Sequence, residues 1–319
     1  MTINAEPGGR GKGGRRRKGH AVHGWLILDK PSGVTSTAAV GRARRLLDAA
    51  KAGHGGTLDP LATGVLPLAF GEATKTTRYL MDSRKSYRFR VRWGVSRATD
   101  DVEGEVTETS DVRPTKGEIE AALDDFLGDI AQVPPKFSAV KVDGKRAYDL
   151  ARGGRAVKLA PRTVRIERLA LLSIEDEDHA TFEMDCGKGT YVRALVRDLA
   201  HALGICGHVT ALCRTRVGSF TLNDAISLAE LEALDDSGAA QQSLLPVARG
   251  LVGIPGMPVN ADQALRLKVG QAVPLVRPAI GLDGSDLAEG TLWTCLMDRP
   301  VALVELGAGV LKPLRVFNF

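Results

Sequence analysis

The stretch Tyr87-Arg88-Phe89-Arg90-Val91-Arg92-Trp93 alternates without a break between bulky apolar residues and arginines. Side chains of a β-strand point to opposite faces at every second residue. Tyr87, Phe89, Val91 and Trp93 therefore share one face and the three arginines the other. The stretch reads as an antiparallel strand with one dry and one wet side. Companion strands are expected at Trp25 to Leu28 (ending at Asp29-Lys30-Pro31), Thr163 to Leu169, Thr181 to Cys186 and His208 to Val217, with a short one around Ser138 to Val142. Helical spacing predicts helices from a Ser36 cap to about Ala50, from Thr74 to Met81 and near Arg146 to Arg152. Thr115 and Glu118 form a capping box for a helix to Leu127, and Ser227 and Glu230 another for a helix to Leu234. Thr190 to Leu203 carries Val192, Leu195, Val196, Leu199 and Leu203 at core spacing and is stopped by Gly204. Leu61 to Phe70 is apolar but broken by Gly64 and Pro67, which suits packing beneath a loop. The fold class is α+β: a mixed, mostly antiparallel sheet with flanking helices.

The chain has 319 residues, 44% of them hydrophobic, and no apolar run long enough to cross a bilayer. This suits a large domain followed by a smaller one, and a cytoplasmic location is expected. Cys186, Cys206, Cys213 and Cys295 show no metal-binding spacing and read as reduced core thiols. The net charge of +5 is concentrated at the start: residues 1–23 hold six basic residues against Glu6, leaving 37 basic and 37 acidic residues elsewhere. Such a Gly/Arg/Lys segment cannot bury a core and is expected to be a disordered basic tail. Residues 99–129 carry a net −9 and are expected to face away from a polyanion; residues 136–168 carry +7. Opposite charge blocks within a neutral body suggest a one-sided phosphate-contacting surface. Asp235 to Gly238 and the Pro/Gly-rich piece Pro246 to Pro258 mark a boundary, after which a helical turn (Ala261 to Lys268) and short strands suggest a small β-rich domain at 256–319.

The twelve residues Gly53-His54-Gly55-Gly56-Thr57-Leu58-Asp59-Pro60-Leu61-Ala62-Thr63-Gly64 present one carboxylate, Asp59, from an ordered corner. The glycines permit positive φ and close approach, and Pro60 pushes Asp59 towards an extended conformation. The spacing of a phosphate-binding Gly-x4-Gly-Lys-Ser/Thr loop is absent. The twelve residues resemble the catalytic motif of the TruB family of tRNA pseudouridine synthases. Leu28-Asp29-Lys30-Pro31-Ser32-Gly33 resembles that family's first motif, and Lys188-Gly189-Thr190-Tyr191-Val192-Arg193 its later one. The three occur in family order, and the resemblance covers about residues 24–220.

The resemblance implies a pseudouridine synthase fold over 24–245, with a basic thumb-like insertion at about 135–165, and an RNA-binding PUA-like module at 256–319. It implies isomerisation of uridine to pseudouridine at position 55 in the T-arm loop of tRNA, by a stand-alone monomer needing no metal, organic cofactor or protein partner. Asp59 would be the nucleophile, kept charged by Arg193. His54 would fill the space left by the extruded nucleotide, Tyr87 would stack on the base, and Tyr191 and Leu212 would line its pocket. Lys30 and Arg214 also match family positions. Lys141, Lys145 and Arg146 in the basic segment are candidate RNA-backbone contacts. Arg97 stands where family members usually carry Thr. Two alternatives remain: a guide-RNA-dependent relative, and an RNA-folding chaperone that binds tRNA without chemistry.

Overall fold

The computed structural model describes residues 19–138, 140–142, 144–153, 159–236 and 239–319. Most of the tail predicted at 1–23, namely 1–18, lies outside the described residues, as do the side chains of Lys141, Lys145 and Arg146. A ten-stranded sheet forms the centre. Its order is Ile226–Ser227, Gly24–Lys30, Thr63–Phe70, Gly207–Val217, Lys85–Trp93, His179–Cys186, Arg162–Ile174 and Gly128–Gln132. Ala52–His54 joins Thr63–Phe70, and Phe220–Thr221 joins Gly207–Val217. Most pairings are antiparallel, and helices flank the sheet, so the α+β expectation holds.

The alternating stretch is a strand near the centre of this sheet, and Phe89, Val91 and Trp93 are buried on its dry face. Phe89 stacks on Phe182 at 5.5 Å, and Trp93 meets Phe182 edge-on at 6.2 Å. The Val192–Ala202 helix lays Val192, Leu195, Val196 and Leu199 into the same core. By contrast, Gly24–Lys30 is buried on both faces, which explains its continuous apolar run. Leu26 and Leu28 join the main core, while Trp25 and Ile27 join a second one with Phe220, Leu251, Leu303 and Phe317.

Leu303 and Phe317 come from the C-terminal region, where a five-stranded sheet runs in the order Gly256–Pro258, Gly290–Leu296, Arg299–Gly307, Val310–Val316 and Val273–Pro274. The Ala261–Lys268 helix, boxed by Asn260 and Gln263, buries Ala264 and Leu267 against it. Lys75 Nζ donates to the Val316 carbonyl at 2.7 Å, and Asn318 N–H donates to Glu72 Oε2 at 2.8 Å.

Four expectations change. Thr35, not Ser36, caps the Ser36–Leu46 helix, its hydroxyl accepting from Ala38 N–H. The piece from 61 to 70 contains a full strand, Thr63–Phe70; Pro67 falls in the gap between its two partners on one side, Gly207–Val217 and Ala52–His54, where no ladder donor is needed. The Thr115-capped helix stops at Leu123 and continues as a single tighter turn. Thr74 to Met81 divides into a 3-10 turn, Gly71–Lys75, and a short helix, Thr77–Asp82. Among the described residues, no helix is long and apolar enough to cross a membrane.

Candidate active site

Two largely antiparallel halves of the large sheet meet through a parallel contact of two residue pairs, Cys213↔Thr63 and Arg214↔Gly64. Parallel strands diverge here, and the loop between Ala52–His54 and Thr63–Phe70 lies over the seam with Asp59 at its turn. Gly64 has φ +94°, and an added Cβ would stand 2.3 Å from the Arg214 carbonyl oxygen, so only glycine fits.

Backbone carbonyls of the loop are held by buried cations and hydroxyls. Lys30 Nζ donates to the carbonyls of Pro31, Val34 and Pro60 at 2.9, 2.7 and 3.1 Å. Burial pulls the Lys30 ammonium down to about 8, opposed by the negative charge of Asp59. Arg214 Nε donates to Val65 O at 2.8 Å, and its other nitrogens donate to Thr57 O and Gly56 O at 3.3 and 3.1 Å. The Ser36 hydroxyl, free of capping duty, donates to Leu58 O and accepts from Leu58 N–H. The Lys-Pro-Ser-Gly stretch thus acts as a brace for the Asp59 loop.

Arg193, 4% exposed, rises from the first turn of the Val192–Ala202 helix. Its Nε and Nη2 both reach Asp59 Oδ2 at 2.9 Å. Among the described residues no hydrogen bond reaches Oδ1, and the Asp59 side chain keeps 33% of its exposure. Arg193 Nη1 contacts Asp101 Oδ2 at 3.3 Å and donates to Thr99 O at 2.9 Å, while Nη2 donates to Phe137 O at 3.1 Å. One turn along, Arg197 pairs with Asp100 at 3.3 Å and donates to Val133 O at 2.8 Å. Asp100 has φ +60°, and burial raises its carboxyl to about 6. The side chain of Gln132 clasps the Tyr191 backbone, donating to its carbonyl and accepting from its N–H.

Asp59 lies on the wall between two chambers. The first, of about 360 Å³, is lined by Tyr87, Tyr191, Leu212, Lys85 and Arg214 together with Asp59. Burial raises the phenols of both tyrosines above their ordinary value, the charge of Asp59 adding to this. Burial lowers Lys85 to about 8; its ammonium is held by the carbonyls of Leu80, Met81 and Ser83. The second chamber, of about 610 Å³, is lined by Asp59, Arg193, Asp101, Glu103, Glu105 and Phe137 among others. His54 borders neither; its Nδ1 accepts from Gly56 N–H at 3.4 Å, and burial lowers its imidazole below the ordinary value.

The structure therefore brings Asp59, Tyr87, Tyr191, Leu212 and Arg193 together from four separate stretches. It also corrects one expectation: the acidic segment 99–129 does not wholly face away, because Asp101, Glu103 and Glu105 line the second chamber. Net charge concealed this, since Asp101 is 2% exposed and spent on Arg193. Asp101 and Gln132 carried no recognisable signal in the sequence, and Ser36 read only as a helix cap, because their partners are distant in the chain.

Residues 44–192 match the profile described as TruB family pseudouridylate synthase (N terminal domain), and residues 193–252 match the tRNA pseudouridylate synthase B C-terminal domain. The chain belongs to the TruB pseudouridine synthase family. A TruB relative from Caulobacter vibrioides, called tRNA pseudouridine synthase B, is 53% identical over 306 residues, covering 95% of this chain and 99% of the relative. One of the same name from Bradyrhizobium diazoefficiens is 51% identical, covering 99% and 92%. A chain in the crystal structure of a Cbf5-Nop10-Gar1 complex superposes with a TM-score of 0.72 at 25% identity, over 94% of this chain and 86% of that one. TruB membership makes this chain an enzyme of the pseudouridine synthase class and places the Asp59 loop within the matched N-terminal region.

Proposed function

We propose that the protein converts uridine 55 in the T-arm loop of tRNA to pseudouridine, with Asp59 as the nucleophile. The observation that carries this reading is a one-third-exposed carboxylate that lines a chamber with two tyrosines and has one oxygen held by a buried arginine. The uridine is extruded from its stack at a cost of roughly a few kcal/mol, and Tyr87 recovers part of this by stacking. Leu212 and Tyr191 line the base pocket, and His54 fills the space vacated in the RNA. Asp59 attacks C1′ as the C1′–N1 bond breaks, the uracil turns within the pocket, and C5 displaces the carboxylate to form the C1′–C5 bond while the C5 proton is exchanged for one on N1. Arg193 orients the Asp59 carboxylate for attack.

Lys141, Lys145 and Arg146 contact RNA phosphates, and residues 135–165 fold over the RNA as a thumb. Residues 256–319 act as a PUA-like RNA-binding module. The enzyme works as a cytoplasmic monomer without guide RNA, which accords with the full-length similarity to proteins named tRNA pseudouridine synthase B. The test is pseudouridine mapping in a T-arm minihelix. The purified protein should form pseudouridine at position 55 without added guide RNA. Asp59→Ala should abolish the product while keeping tRNA affinity within about threefold; product formed by this variant refutes the assignment.

A further inference from the structure

Ser138 is 4% exposed, yet its hydroxyl completes no hydrogen bond within the described residues. It lies near enough to the Tyr191 phenol to favour that group's ionised form slightly, but no donor–acceptor pair of hydrogen-bonding geometry forms. Buried hydroxyls are rarely left without a partner, and one that lines a cavity is placed to take it from a ligand. The position of Ser138 is fixed from both sides. The preceding carbonyl, Phe137 O, accepts from Arg193 Nη2 at 3.1 Å, and Ser138 O itself accepts from Tyr148 N–H at 3.0 Å. The arginine that holds Asp59 thus also places this serine.

Ser138 and Asp59 share a further property: both line the first chamber and the second. The inference that follows rests on reading the first chamber as the uracil site. With the base there and C1′ beside Asp59, the ribose must stand where the two chambers meet. Lys85 and Thr190 line the first chamber alone, on the side of the base, and both already hold backbone carbonyls. Phosphate is unsuited to the Ser138 side, where Asp101, Glu103 and Glu105 line the second chamber. A neutral group that both donates and accepts fits there.

We infer that the Ser138 hydroxyl hydrogen-bonds the ribose 2′-hydroxyl of the target nucleotide and so makes the site selective for ribose over deoxyribose. The 2′-hydroxyl distinguishes RNA from DNA wherever a protein contacts it, and here the contact would be made at the reacting nucleotide.

The experiment uses full-length protein carrying Asp59→Asn, so that binding is read without turnover. Dissociation constants are measured for two T-arm minihelices that differ only in having uridine or 2′-deoxyuridine at the target. The uridine RNA should bind about fivefold to tenfold more tightly. Adding Ser138→Ala should weaken the uridine RNA by that factor and leave the deoxyuridine RNA unchanged, bringing the ratio to about one. Ser138→Thr, which keeps the hydroxyl, should keep the ratio. Any effect of deoxyribose pucker is common to the variants and cancels between them, and unchanged deoxyuridine binding certifies the fold. A ratio near one before Ser138 is altered, a ratio that survives Ser138→Ala, or equal weakening of both RNAs overturns the inference. Failure of the uracil reading is separate: it would appear as no pseudouridine formed by the unsubstituted enzyme, whatever the binding ratios.

Discussion

Two buried arginines flank the Asp59 loop and are used differently. Arg214, 1% exposed, directs its hydrogen bonds to the neutral backbone carbonyls of Val65, Thr57 and Gly56. Arg193, 4% exposed, divides its donors between two carboxylates, Asp59 and Asp101, and the carbonyls of Thr99 and Phe137. On the Arg214 side the cation fixes where the loop lies; on the Arg193 side it fixes the direction of one oxygen. A carbonyl partner leaves a full positive charge facing the first chamber, whereas carboxylate partners neutralise the charge behind Asp59. The same side chain thus serves as a geometric clamp in one place and an electrostatic one in the other.

Lysine substitutions compare the two sides, since lysine keeps the charge but loses the planar fork, which at Arg193 aims the reacting carboxylate and at Arg214 seats the loop. Arg193→Lys should lower kcat by about 10²–10³-fold while leaving tRNA affinity nearly unchanged, as single-turnover assays would reveal. A smaller variant effect than that of Arg214→Lys would dissolve the distinction. Arg214→Lys should leave at least one buried loop carbonyl unpaired, lowering stability by about 1–3 kcal/mol in urea melts, with roughly a tenfold loss of kcat.

The smallest expected effect concerns the second rung on the Arg193 side. Asp100 keeps its proton to about pH 6 in the folded protein because burial disfavours its charged form, against an ordinary value of 3.8. Between those values the native state binds more protons than the unfolded chain, so this group's contribution to stability falls as the pH rises from about 4 to 6. Asp100→Asn removes that slope, and asparagine tolerates the positive φ found there. The stability of the variant relative to the parent, from urea melts, should therefore increase by on the order of 1–3 kcal/mol between pH 4 and 7. A flat difference would mean that Arg197 fully offsets the burial of Asp100.

Much of the sheet was legible because its signals are local. Alternation marked the Tyr87 strand, and helical spacing marked the core face of the helix that carries Arg193. The Thr115, Ser227 and Asn260 caps show the limits of that reading: the first two had the right box chemistry in the sequence, while Asn260 and Gln263 escaped notice. The Thr63–Phe70 strand was obscured because Gly64 and Pro67 oppose strand propensity, and only the arrangement of its neighbours makes both residues acceptable. The roles of Lys30 and Arg214 were equally hidden, since a buried cation serving carbonyls is indistinguishable in sequence from one serving a carboxylate.

By itself the sequence determined the strand and helix faces, the corner at Asp59 and the family resemblance, because periodicity, turn chemistry and motif wording reside in contiguous residues. Only the tertiary structure decided that Asp59 shares one arginine with Asp101, that two chambers meet at its carboxylate, and that the Ser138 hydroxyl lines both with no hydrogen-bond partner among the described residues. Those relations join residues up to 134 positions apart, as in Asp59 and Arg193. Burial and hydrogen-bond satisfaction, which fix them, are properties of the packed chain rather than of any stretch within it.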